Sequence, residues 1–161
     1  MAQLKKDFLC NLIFKVLSRG VVVLNQKDSE IRDNLADLPE NFVISFGVFP
    51  IEKYIYIVRE KGDFFVSKNP RNADLSVIFK NPKSVQKVML ARSSVAESFC
   101  RHDIIVKGDI AFAMTLVRVI NRTEKYLFPH FMTKRFLPKI NKQTCSLGVY
   151  GRIFFSKLNK E

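Results

Sequence analysis

Tryptophan is absent from the 161 residues, and only three cysteines and two histidines occur. Cys10, Cys100 and Cys145 are odd in number and widely spaced. They offer no disulfide framework, and such cysteine usage points to a reducing, cytosolic setting. A structural zinc site needs about four ligands at recognisable spacing. His102 beside Cys100 supplies two, and His130 with the remaining cysteines does not complete a pattern. The same pair does not specify a Cys–His nucleophile, because no oxyanion loop accompanies it. Phosphate loops, dinucleotide fingerprints and serine elbows are missing as well. The expectation is therefore a protein that is not an enzyme and needs no metal and no cofactor. Long apolar runs are also lacking. None approaches the roughly 18 residues of a membrane span, and the longest lies within 110–117. The N-terminal stretch MAQLKKDFLCNLIFKVLSRG superficially resembles a signal peptide. Asn11 and Lys15 interrupt it, and no small-residue cleavage site follows. Asp7-Phe8-Leu9 before Cys10 lacks the small residues of a lipoprotein signal.

What is present is a globular composition, with 47% hydrophobic and 26% charged residues. Phenylalanine dominates the aromatics, with 15 Phe against 4 Tyr, which favours bulk without a polar tip. The formal charge is +12, and it is unevenly spread. Residues 1–20 carry +3, residues 21–70 carry −2 and residues 71–161 carry +11. A basic C-terminal half suits an anionic surface, either phospholipid headgroups or nucleic acid, or serves solubility alone.

Apolar spacing predicts a helix over 3–19, with Leu4, Phe8, Leu9, Leu12, Ile13, Val16 and Leu17 on one side and Gly20 as its stop. A connector with a helical turn near 31–38 follows, closed by Pro39. Alternation then predicts strands over 41–49, 54–60, 64–67 and 73–80, read as an antiparallel meander. Pro82 opens a helix, 103–107 forms a short strand, and Gly108 makes a turn. Asp109 is placed to cap a helix running to about Leu127, and this role fits it better than that of a general base. Residues 130–160 differ, with seven basic residues, no acidic one, and Phe131, Phe136, Tyr150, Phe154 and Phe155 among them.

The helix beginning at 110 is unusually apolar. In IAFAMTLVRVI only Thr115 and Arg118 are polar. Such a helix must be covered on most sides. Either it is a core helix between the sheet and the N-terminal helix, or one face lines a cavity for an apolar ligand. Two readings also stand for the N-terminal helix: packing on the domain, or lying on an anionic bilayer or in a partner's groove. The tail reads as a solvated extension, a membrane contact or a single-strand nucleic-acid contact.

The stretch NADLSVIFKNPKSVQKVMLARSSVAESFCRHDIIVKGDIAFAMTLVRVINRTEKYLF resembles the sterol carrier protein family of lipid-binding domains. The likeness is carried by Ala73-Asp74-Leu75, Phe99, Ile105-Val106-Lys107-Gly108-Asp109 and the region of Leu116. YIYIVREKGDFFVSKNP is similar to the family's preceding hairpin, and the likeness extends over about 41–128. An N-terminal helical segment and Ala91-Arg92 are also similar to the bacterial branch that assists ubiquinone biosynthesis. The tail after Pro129 has no match. The resemblance implies an α+β fold: a twisted, mostly antiparallel sheet of about five strands with helices over one face, enclosing a hydrophobic cavity.

Three segments result: 1–40 as N-terminal amphipathic helix and connector, 41–129 as lipid-binding domain, and 130–161 as basic aromatic extension. The expected function is non-enzymatic binding and transfer of an apolar lipid: a sterol, fatty acyl chain, phospholipid or polyprenyl quinone precursor. Val88, Met89, Phe99, Ile105, Phe112, Met114, Leu116 and Val119 are the expected lining. Lys5, Lys6, Lys15, Lys134, Arg135, Lys139, Lys142, Arg152 and Lys157 are the expected contacts to an anionic membrane. The expected location is cytoplasmic and peripheral on the membrane, with other proteins of a lipid pathway as further partners. The alternatives are a nucleic-acid-binding module or a scaffold subunit of a lipid- or quinone-biosynthesis complex. The concentration of Phe112, Met114 and Leu116 argues against nucleic acid, which gains nothing from it.

Overall fold

The computed structural model describes residues 2–89, 93, 95–127 and 151. The first helix, α1 (Ala2–Lys27), runs past the predicted stop at Gly20. Glycine serves packing there: a Cβ on Gly20 would lie 3.0 Å from Thr123 Cγ2. Val21, Val22, Val23 and Leu24 continue the helix because all four are buried, and burial overrides the weak helix preference of valine. Over Phe8–Lys27 this helix is long and apolar enough, by length and composition, to cross a membrane, and 56% of its most apolar window is buried inside the fold. Asp28 then breaks the helix for one residue. Its extended backbone (φ −111°, ψ 116°) and its carboxylate, which accepts from the Ile31 N–H at 3.2 Å, cap α2 (Ser29–Ala36).

Five strands follow the predicted order: β1 (Val43–Val48), β2 (Ile51–Glu60), β3 (Asp63–Ser67), β4 (Leu75–Phe79) and β5 (Ile104–Lys107). Lys61 and Gly62, at φ 55° and 79°, make the tight turn between β2 and β3. Between β4 and β5 lie α3 (Pro82–Met89) and α4 (Val95–Cys100), and α5 (Ile110–Leu127) ends the described fold. The sheet order is β3-β2-β1-β4-β5. The expected four-strand meander is corrected at β4, which crosses the sheet and pairs parallel with β1, Phe46 opposite Val77. Every residue of β1 is buried, as a central strand covered on both faces must be. Period-two alternation marks a strand but not its neighbour. The other three pairings are antiparallel.

The helices share one core with one face of the sheet. Phe14 of α1 stacks on Phe46, with ring centroids 6.2 Å apart, and meets Phe79 at a tilt of 37° with centroids 5.7 Å apart. Leu17, Val21, Val85, Val88, Leu116 and Val119 join Ile44, Ile57, Leu75 and Val77 in the same cluster. The opposite face carries a smaller cluster of Val43, Tyr56, Val58 and Phe65. α1 covers β2 and β3, whereas α5 packs mainly against α1 and α2. Arg59 on β2 ties the layers together. Its guanidinium donates to the carbonyls of Leu35 (3.2 Å), Ala36 (2.9 Å) and Leu38, where α2 ends with carbonyls in need of donors.

The turn before α5 rests on Gly108. Its φ is +125°, and a Cβ there would lie 2.3 Å from the Asp74 carbonyl oxygen. Both the dihedral and the backbone contact exclude a side chain. Gly108→Ala is expected to lower stability by about 2 kcal/mol or more. Gly62→Ala, also at positive φ but with nothing within 4 Å, is expected to lose about 1 kcal/mol. Equal losses in urea denaturation would show that the Asp74 contact carries no weight.

Candidate functional site

The Gly108 turn delivers Asp109 as the cap of α5, its Oδ1 accepting from the Ala111 N–H at 2.7 Å. One turn on, the half-buried Phe112 meets Phe42 edge-on, with centroids 5.0 Å apart and planes at 66°. This aromatic pair floors an open cleft of about 490 Å³. Pro39, Glu40, Asn41, Asp74 and Asp109 complete its wall. The three acids are committed to the fold. Asp74 Oδ2 accepts from the Val43 N–H at 2.8 Å, and Glu40 accepts from the Gly62 N–H at 3.1 Å and pairs with Arg59 at 3.5 Å. With Asp109 capping a helix, the cleft offers aromatic surface and an acidic rim rather than a poised carboxylate. No group of three or more metal-ligating side chains forms among the described residues. On the outward face of the same helix, Ile110 is 69% exposed and Met114 is 53% exposed.

The far end of α5 is polar in a different way. Arg122 Nε donates to Asp28 Oδ2 at 2.8 Å, and the Tyr126 hydroxyl donates to the same oxygen at 2.6 Å. Arg122 also pairs with Glu30. Burial pulls the Asp28 carboxyl upward, but the hydrogen bonds from Tyr126, Arg122 and the Ile31 N–H outweigh it and hold the group below its ordinary range. Burial, followed by the bond to Asp28, pushes the Tyr126 hydroxyl up to about 12. Glu124, between these two residues in sequence, has no such company. It is buried, its Oε1 has no hydrogen-bond partner among the described residues, and burial alone pushes the carboxyl up to about 8.

No protein-family model matches the chain, and no curated protein matches its sequence. Solved structures do match its shape. The UbiJ-SCP2 ubiquinone synthesis protein superposes with a TM-score of 0.50 at 16% identity, covering 72% of this chain and 96% of that one. Apo sterol carrier protein 2 from Yarrowia lipolytica gives 0.51 at 18% identity, covering 73% and 93%. Sterol carrier protein domain 2 of Helicoverpa armigera gives 0.50 at 15% identity, covering 69% and 89%. The fold is that of a sterol carrier protein domain. The α+β architecture and the resemblance read over about 41–128 thus agree with the three-dimensional comparison.

Within this sterol carrier fold the eight expected lining residues do not share one wall. Val88, Leu116 and Val119 are core residues, exposed by no more than 3%. Among the described side chains of the eight, Phe112 alone lines the cleft. Phe99, Ile105 and Met114 are exposed. Ile105 is corrected for a geometric reason: Ile104 is buried in the core shared with the helices, and successive strand side chains point to opposite faces. Ile105 therefore faces away from the helices. Met114 is corrected likewise, because it lies on the solvent side of α5. The side chain of Met89 lies outside the described residues. Of the expected membrane contacts, Lys15 is half-buried on α1. The side chains of Lys5, Lys6, Lys134, Arg135, Lys139, Lys142, Arg152 and Lys157 lie outside the described residues.

Phe42, Asp28, Arg122, Tyr126 and Glu124 are not among the residues expected from the sequence. Asp28 carried a usable signal, an N-cap residue directly before the periodic Ile31 and Leu35. Glu124 carried another, an acid in helical phase with Val117 and Ile120. The pairing of Asp28 with residues 94 and 98 positions away had none.

Proposed function

We propose that this chain binds an apolar lipid and moves it between membranes, acting as a carrier and not as an enzyme. The observation that carries the reading is the sterol carrier fold, shared over about seven-tenths of the chain with proteins named for sterol binding and ubiquinone synthesis. The apolar α5 and the aromatic cleft at its start support it. Sterols, acyl chains, phospholipids and polyprenyl quinone precursors all fit such chemistry, since each buried methylene contributes about 0.8 kcal/mol without a polar contact. The UbiJ-SCP2 likeness favours a quinone precursor among them.

Mass spectrometry of organic extracts from gently purified protein should recover a stoichiometric lipid, and a pyrene-labelled acyl probe should bind. Phe112→Glu puts a charge on the cleft floor and is expected to weaken the probe at least tenfold in a folded protein. Leu116→Glu is the wrong variant for this purpose, because Leu116 is core and the charge would unfold the domain. Probe binding by Phe112→Glu at the wild-type level would remove the cleft from the site.

The charge of +12 supplies the second half of the proposal, docking on anionic membrane by the basic regions. Flotation with liposomes should rise with the fraction of anionic lipid and fall as salt screens the attraction. Equal flotation on neutral and anionic vesicles would remove the electrostatic part.

A further inference from the structure

On a helix turning about 100° per residue, Leu116, Val119, Ile120 and Thr123 fall on one side of α5, and all are buried against the rest of the fold. Ile110 and Met114, one turn apart, fall on the other side and stand exposed. Ala111 beside them is exposed as well. Further along, this outward stripe turns basic. Arg118, one turn beyond Met114, is exposed and pairs with no acid among the described residues. Lys125 follows two turns later, half-buried. The stripe carries no acid, since the one acidic residue of α5, Glu124, is buried.

The acids nearby look elsewhere. Asp109 lines the cleft with Phe112, and Glu40 and Asp74 belong to the same wall. Phe112 lies about 160° around the helix from Met114, so the acidic rim and the apolar tip face in different directions. Glu30, whose charge acts on Lys125, is held by Arg122. Lys107, exposed at the end of β5, adds a cation just before the Gly108 turn. An apolar tip followed by cations suits an anionic bilayer: the apolar side chains enter the acyl boundary while the cations stay with the headgroup phosphates. A second copy of the chain fits poorly, because a two-fold contact sets this basic stripe against itself.

We propose that the outward stripe of α5 is the surface that meets the membrane, with Ile110 and Met114 inserted at the bilayer interface and Arg118 and Lys125 on the phosphates of anionic lipid. The inference rests on the carrier reading above and assigns its membrane docking to one face of the fold.

The full chain has no tryptophan, so a single introduced indole reports on its own surroundings. Met114→Trp is compared with Phe49→Trp, a side chain 68% exposed that lies past the end of β1 opposite to Phe42. The vesicles hold equal parts of phosphatidylglycerol and phosphatidylcholine, the latter with brominated acyl chains. Emission from Met114→Trp is expected to shift to the blue and to be quenched by bromine, and emission from Phe49→Trp to do neither. Ile110→Ser combined with Met114→Ser should weaken vesicle binding at least about tenfold. Both side chains are exposed, so thermal unfolding and binding of the pyrene-labelled acyl probe in solution should not change. Arg118→Glu should reduce the preference for anionic over neutral vesicles. Quenching of Phe49→Trp without quenching of Met114→Trp, or wild-type vesicle affinity in the double serine variant, would overturn the α5 contact and leave the carrier reading standing. Wild type that binds the probe but no vesicle would overturn the contact and leave lipid binding intact. Wild type that binds neither would overturn both.

Discussion

Asp28→Ala is expected to reduce the stability of the fold by about 3–5 kcal/mol, the loss that follows when one partner of a buried ion pair is removed. The Asp28 side chain is only 2% exposed, and it serves three groups at once: the Ile31 N–H, Arg122 and Tyr126. Truncation leaves α2 uncapped and, among the described residues, Arg122 with Glu30 as its remaining partner. Tyr126→Phe removes a single neutral donor and should lose about 1 kcal/mol. Urea denaturation measures both, and near-equal losses would mean that the charge pair adds nothing. The pH dependence has a defined sign. The folded Asp28 carboxyl lies below its ordinary value of 3.8, so its contribution is complete above that value. It is lost as pH falls through the lower folded value, and acid unfolding should begin there. Asp28→Asn should flatten this acid limb.

Glu124→Leu should do the reverse and stabilise the protein at neutral pH. The carboxyl is raised from 4.5 to about 8 in the fold. The folded state therefore keeps a proton that the unfolded chain gives up, and stability falls as pH rises from about 4.5 to about 8. At pH 7 the penalty amounts to about 3 kcal/mol, at 1.36 kcal/mol per unit. The gain in Glu124→Leu should therefore be small near pH 4.5 and approach about 3 kcal/mol at neutral pH. Denaturation curves at the two pH values decide the matter. A variant that is destabilised equally at both would show that the carboxyl has a hydrogen-bonding partner in the fold.

Much of the architecture was legible before any coordinates. The alternation of Leu75, Val77 and Phe79 and the cap at Asp109 were readable because local chemistry sets them. The Gly108 turn was readable too, since only glycine tolerates its backbone geometry. The site was legible only in part. Phe112 was identified from the apolar helix and does line the cleft, but its partner Phe42 stands 70 positions earlier, on the other side of the sheet's crossover. Ile105 and Met114 were misplaced because apolarity names a residue without saying which way it faces.

The amino-acid sequence by itself determined the element types, the strand alternation, the basic C-terminal half and the order of elements that resembles the sterol carrier proteins. All of these depend on neighbours within a few residues or on composition. Only the tertiary structure decided that α1 continues through Gly20, that β4 crosses to pair with β1, that Asp28 meets Arg122 and Tyr126, and that Glu124 Oε1 is buried with no hydrogen-bond partner among the described residues. Each of these depends on contacts between residues far apart in the chain, where close packing between helices, pairing across the sheet and loss of water outweigh local preference.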